Sequence, residues 1–160
     1  MNNKVYKYIF SITIILVISL CISGCGSKKG TKVNNLEIKY EKGSTMELSK
    51  LDNGTVYTNN ITVKNNSDKD ITYSISWKNV NNSFQLQNKL LYDINTKDSD
   101  AGFLSKSQAP IADFTIFNKL IIKKGLTHKY TVSVYFEGDP VKEQNSSFKG
   151  TIEINEVKEQ

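Results

Sequence analysis

Four aspartates are the acidic side chains that the sequence places best for chemistry, because they lie within or beside residues 96–110, the longest stretch without regular alternation. They are Asp93, Asp98, Asp100 and Asp113. Clustered carboxylates provide the oxygen ligands that Ca²⁺ prefers, and a pair about 5–10 Å apart is what glycoside hydrolysis requires. Asp98 and Asp100 are therefore a candidate weak calcium site, although they lack the Asp-x-Asp-x-Asp-Gly spacing of a dedicated calcium loop. A solvated loop is the alternative.

His128 is the only histidine of the chain. One histidine cannot form a two-histidine metal site, and the Gly-x-Ser-x-Gly pattern of a nucleophilic serine is absent from the sequence. We expect His128, at the start of a strand beside Lys129, to be a surface or turn residue. The residue types thus predict no catalytic constellation and no cofactor, and we expect the protein not to be an enzyme.

The N-terminus carries the clearest chemical signal, at Cys25. Lys4 and Lys7 precede a mostly apolar run over residues 9–22, and the small residues Ser23 and Gly24 lead into Cys25. This is the architecture of a secretory signal peptide. The run falls short of the roughly 20 apolar residues that span a bilayer. A retained transmembrane helix and an ordinary signal peptide without lipid are the alternatives.

The tetrapeptide ISGC at residues 22–25 resembles the lipobox of bacterial lipoproteins. The resemblance implies cleavage between Gly24 and Cys25 and attachment of a diacylglyceryl group to the Cys25 thiol. Two acyl chains suffice for stable anchoring, so we expect a lipid-anchored protein on the extracytoplasmic face of the cell membrane. The other cysteine, Cys21, would leave with the signal peptide, so the mature chain would have neither a disulfide nor a cysteine metal site.

The charge distribution argues against a nucleic-acid partner. The chain has a formal net charge of +5, and all 21 basic residues are lysines. Without arginine it lacks the bidentate group suited to phosphates and base edges. From Val33 onward, 16 lysines face 16 acidic residues. Lys28, Lys29 and Lys32 lie in the expected tether, either close to anionic headgroups or in a solvated linker.

Period-two alternation of apolar residues dominates the chain after the tether and predicts short strands. Together with the N-terminal signal, this pattern predicts three parts of the chain: a signal peptide (1–24), a lipidated flexible tether (25–34) and one β-sandwich domain (35–160). Strands are expected around residues 36–40, 56–65, 71–77, 84–94, 114–122, 130–136 and 148–154. About seven strands at regular spacing, without helical periodicity, indicate an all-β, two-sheet antiparallel sandwich. Residues 43–54 are ambiguous and are expected to bend or to cross between the sheets.

Two sequence phrases are similar to those of secreted bacterial immunoglobulin-like domains. Residues 61–73 read ITVKNNSDKDITY and residues 122–132 read IKKGLTHKYTV. Their spacing resembles that of the camelysin and biofilm-fibre (TasA-like) proteins, and this resemblance implies an immunoglobulin-like fold only. Trp77, central in an alternating strand, and Tyr130 are predicted to be structural core residues.

The combination of an anchor, a neutral domain and no catalytic motif predicts a non-catalytic surface lipoprotein for binding, adhesion or structure. Its partner would be a protein or the cell wall, contacted through a sheet face or through residues 96–110. Tyr57 and Tyr135, expected on outward faces, are candidates for a contact patch. The alternative function is a small metal-dependent extracytoplasmic hydrolase that uses the four aspartates.

Overall fold

The computed structural model describes residues 31–49, 51 and 55–158, and the predicted signal peptide with Gly24 and Cys25 lies outside these residues. The described chain forms ten β-strands. They are β1 (Thr31–Val33), β2 (Leu36–Tyr40), β3 (Thr45–Leu48), β4 (Val56–Asn65), β5 (Ile71–Asn82), β6 (Leu90–Thr96), β7 (Leu104–Gln108), β8 (Phe114–Ile122), β9 (Thr127–Phe136) and β10 (Phe148–Glu156). Two short 3₁₀ turns, Gln87–Lys89 and Pro140–Glu143, complete the regular structure.

The strands form two antiparallel sheets that pack face to face. A six-stranded sheet has the order β1-β2-β4-β9-β6-β7, and a four-stranded sheet has the order β3-β10-β5-β8. The inward residues of both sheets form a single core cluster. The predicted all-β, two-sheet antiparallel sandwich is therefore confirmed.

All seven predicted strands are present, and three short additional strands lie at sheet edges. Strand β1 falls in the predicted tether and pairs with β2, and β7 falls within the predicted irregular stretch. Strand β3 pairs with β10 of the four-stranded sheet, although in sequence it comes between β2 and β4 of the six-stranded sheet. Residues 43–54 were expected to bend or to cross between the sheets, and β3 within them belongs to the other sheet.

A buried asparagine stabilises this crossing. The Asn59 amide donates to the Gly43 carbonyl over 2.6 Å and its oxygen accepts the Lys42 backbone N–H over 3.1 Å. Gly43 has a φ of +83°, a left-handed conformation that glycine adopts without steric cost. Asn59 therefore provides backbone hydrogen bonds where the chain leaves one sheet for the other.

Trp77 lies at the centre of the core, as predicted. Its side chain is fully buried and makes edge-to-face contacts with Phe148 and Tyr92, at centroid distances of 5.4 and 5.7 Å. Gly150 leaves room for the indole, since a Cβ there would lie 2.8 Å from Trp77 Cε3. Tyr130 is also buried, on the inward face of β9.

Candidate functional site

Residues 96–110 do not form one long loop. Residues 97–103 are irregular, and β7 then pairs with β6 before the chain reaches the opposite end of the sandwich. Gly102 lies against β8, where a Cβ would be 2.9 Å from Phe117 Cε1 and 3.0 Å from Leu120 Cδ2. The irregular part therefore covers the open side between the two sheets.

The four aspartates do not converge. Asp98 follows the end of β6. Asp113 follows Ala109, whose N–H donates to the Leu90 carbonyl, so Asp113 lies toward the start of β6. Asp113 instead accepts the Val80 N–H over 3.2 Å and pairs with Lys78 at 3.8 Å. Within the described ranges, no three His, Cys, Asp or Glu residues are grouped as they would be around a metal ion.

Asp98 and Asp100 interact with the protein itself. The Asp98 carboxylate accepts the backbone N–H of Lys129 over 2.7 Å, which ties residues 97–103 to β9. The exposed Asp100 accepts a hydrogen bond from the Ser99 hydroxyl over 3.2 Å. Asp93, on the outward face of β6, accepts from the Asn95 amide over 2.9 Å. The aspartates thus stabilise local backbone and side-chain geometry.

The surface position predicted for His128 is wrong, because only 3% of the residue is exposed. His128 lies in the inward register of β9 with Tyr130 and Val132, and Val63 opposes it on β4. Its Nδ1 is 2.8 Å from the Tyr73 hydroxyl, which also makes a short hydrogen bond with the Tyr130 hydroxyl. We call these three residues the inner cluster, and it links the two sheets across the core.

The Tyr73 hydroxyl has one proton, so it can donate to only one of its two partners, the Tyr130 hydroxyl and Nδ1 of a neutral His128. Burial lowers the pKa of His128, against the opposing charges of Asp98 and Asp100, and favours this neutral form. Burial also raises the pKa of Tyr130 to about 12 and that of Tyr73 still further.

Glu143 is a second buried titratable group that the sequence did not reveal. Its carboxylate accepts backbone N–H groups of Leu86 over 2.6 Å and Gln85 over 3.2 Å, and a short hydrogen bond from Ser146. Burial alone would raise the pKa of Glu143, but these hydrogen bonds together lower it. The carboxylate is thus held by the loop before β6 and serves as a structural clamp.

A polar cleft of about 630 Å³ lies on the outward face of the six-stranded sheet. We call it the outer cleft. Three strands distant in sequence build it: Thr131 of β9 lies between Asn60 of β4 and Asn95 of β6 in the register, and Lys129 lies opposite Thr62. The lining residues are Asn60, Ile61, Thr62, Asn95, Thr96, Lys97, Asp98, Lys129, Tyr130 and Thr131.

The amides and acids around the outer cleft are already engaged. The Thr131 hydroxyl donates to Asn60 over 2.8 Å, and the Asn60 amide donates to Glu41 over 2.7 Å. The ammonium groups of Lys97 and Lys129 differ, because neither takes part in an ion pair with another residue of the described chain. The outer cleft therefore presents two ammonium groups to solvent, beside the Asp98 carboxylate that also lines it.

A second, apolar hollow of about 340 Å³ lies at the corner between β7 and β8. Ile111 and Phe114 line it and are 62% and 54% exposed. The predicted tyrosine patch does not form, because Tyr57 lies in the inward register of β4 and packs against the core. Tyr135 faces outward, between Val56 and Leu91.

No family model, no curated protein and no solved structure matches this chain. In the part of the chain that the structure describes, no helix is long and apolar enough to cross a membrane. The evidence for a candidate site is therefore the geometry of the chain itself.

Proposed function

We propose that the chain is a lipid-anchored protein of the extracytoplasmic membrane face, and that its sandwich is a non-catalytic binding, adhesion or structural module. The partner is a component of the cell envelope, either a protein or the wall. The outer cleft is the surface that meets this partner.

The anchor is supported by the sequence alone, through the signal architecture and Cys25. Expression of the full chain and of Cys25→Ser in a bacterium with a lipoprotein pathway tests it. We expect the parent chain in the membrane fraction, with the mass of a chain cleaved before residue 25 plus lipid. The Cys25→Ser chain should lack the lipid mass. A parent chain without lipid would contradict the anchor.

The binding role is supported by one contrast between the two polar regions. The inner cluster is enclosed in the core, and its hydroxyls and Nδ1 bond one another. The outer cleft is open and spans three strands of a rigid sheet, which is the kind of scaffold that positions binding groups well. Of these two polar regions, the outer cleft is therefore the one that can reach a partner without unfolding the domain.

A steric block of the outer cleft tests the binding role. Asn95→Trp places a large side chain at an exposed cleft position, and Asn118→Trp is the matched control on exposed β8 of the other sheet. We expect the full chain with Asn95→Trp to lose retention on envelope preparations from cells lacking the protein. Asn118→Trp should retain it. Equal retention by both variants would place the binding surface elsewhere.

A further inference from the structure

We propose that the outer cleft binds an anionic polyol-phosphate polymer, a chain of alternating phosphate and hydroxyl-bearing units. This inference rests on the proposed binding role and names the chemical class of its partner. The observations that carry it are the two unpaired ammonium groups, the local use of nearby acceptors and the hydroxyls of the cleft.

The acceptor groups around the outer cleft already form hydrogen bonds within the protein. The Asp98 carboxylate accepts the Lys129 backbone N–H, and Asp93 accepts from the Asn95 amide. The Asn60 oxygen accepts from the Thr131 hydroxyl. The amide and hydroxyl donors of these bonds are used as well. Left without a bonded side chain in the described part of the chain are the two ammonium groups, which outnumber the one carboxylate lining the cleft and complement an anion.

The two lysines are close enough to share one anion. Lys97 directly follows Thr96, which pairs with Tyr130, so Lys97 is adjacent to Lys129 across the β6–β9 boundary. Neighbouring strands are about 4.8 Å apart. Like charges at such positions repel each other, and a phosphate between the ammonium groups would relieve that repulsion.

The remaining groups favour a polyol phosphate over a nucleic acid. Lysine binds phosphate as a point charge without the fixed geometry of arginine, and the chain has no arginine. Aromatic side chains that stack bases are typical of single-strand binding, but the only aromatic residue lining the cleft is Tyr130, whose side chain is buried. The Thr62 hydroxyl instead faces the hydroxyls of a polyol, and the Thr131 hydroxyl oxygen, whose proton goes to Asn60, can accept from them.

Calorimetric titration of the full chain with poly(glycerol phosphate) tests the inference. We expect binding that weakens as salt increases, as for other phosphate polymers. The double variant Lys97→Ala/Lys129→Ala should bind about tenfold more weakly or worse and should lose most of the salt dependence. The control Lys119→Ala/Lys142→Ala removes the same charge from two exposed lysines outside the cleft and should bind like the parent chain.

Several results would overturn the inference. They are an absence of binding to poly(glycerol phosphate), equal weakening by both double variants, equal binding of neutral dextran, and equal binding of single-stranded DNA at the same lysines. If poly(glycerol phosphate) does not bind but Asn95→Trp still abolishes envelope retention, only the ligand class is wrong. If Asn95→Trp retains envelope binding, the proposed binding site itself fails.

Discussion

The inner cluster and the outer cleft share strand β9, and the difference between them follows from alternation along that strand. His128 and Tyr130 face the core, whereas Lys129 and Thr131 face solvent. Inside, a hydroxyl without a partner costs about 1–3 kcal/mol, so the polar groups must bond one another. Outside, water satisfies them at little cost and they stay available to a ligand. Polar residues on one strand therefore stabilise the fold or remain open to solvent according to their register.

Trp77→Ala has the largest expected effect and sets the scale for the interior. Removing a fully buried indole leaves a cavity between the sheets and should lower the free energy of unfolding by about 3–5 kcal/mol. Urea denaturation followed by circular dichroism measures this change. Val141→Ala, at a side chain 68% exposed, is the control and should change little. A Trp77→Ala chain as stable as the parent would show that the indole is not a core element.

Tyr130→Phe tests whether the inner cluster is structural. The substitution keeps the ring but removes the buried hydroxyl that forms a hydrogen bond with Tyr73. We expect a loss of about 1–3 kcal/mol in the free energy of unfolding. Tyr135→Phe on the outward face of the same strand is the matched control and should stay within about 0.5 kcal/mol of the parent. Equal effects of the two substitutions would remove the contrast between the faces.

Acid should weaken the inner cluster through His128. The unfolded chain takes up a proton at its usual pKa of about 6.5, whereas burial lowers the pKa in the native state. The stabilisation is therefore complete above pH 6.5 and declines as the pH falls toward the native pKa, by about 1.4 kcal/mol per unit of pKa difference.

Two measurements check this pH dependence. His128 is the only histidine, so its NMR titration is unambiguous and should give a pKa below 6.5. His128→Gln retains a hydrogen-bonding group for Tyr73 but does not titrate, and its free energy of unfolding should fall less than that of the parent between pH 7 and pH 5. A native pKa above 6.5 would reverse the sign and refute this explanation.

Asn60→Ala combined with Thr131→Ala has the smallest expected effect on stability. These side chains bond each other at the surface, where water replaces the lost contact. We expect the free energy of unfolding to change by about 0.5 kcal/mol or less, measured by the same urea denaturation. A loss as large as that of Tyr130→Phe would mean that the outer cleft is a structural element.

Alternation was sufficient to predict the long strands and the sandwich. Strands β4 and β8 begin and end where the apolar pattern indicated, because each strand has one face in the core. The same register also places two residues on inward faces: His128 is in phase with Tyr130 and Val132, and Tyr57 is in phase with Ile61 and Val63. Both inward positions could have been predicted by extending the alternation to the ends of the strands.

Other features could not be predicted from local sequence. Strand β7 has one apolar residue, Leu104, so its pattern resembles a loop and only its pairing with β6 makes it a strand. The outer cleft requires β4, β6 and β9 to lie side by side, and their order in the sheet follows from long-range pairing. The aspartates were close in sequence, but β6 and β7 place Asp98 and Asp113 at opposite ends.

Lysine footprinting gives the most direct evidence on which surface meets the partner. The full chain is acetylated with and without solubilised envelope material, and the reactivity of each of its lysines is measured by mass spectrometry. We expect protection at Lys97 and Lys129 and unchanged reactivity at Lys119 and Lys142, which serve as internal controls. Protection confined to lysines outside the outer cleft, or no protection at all, would contradict its assignment as the binding surface.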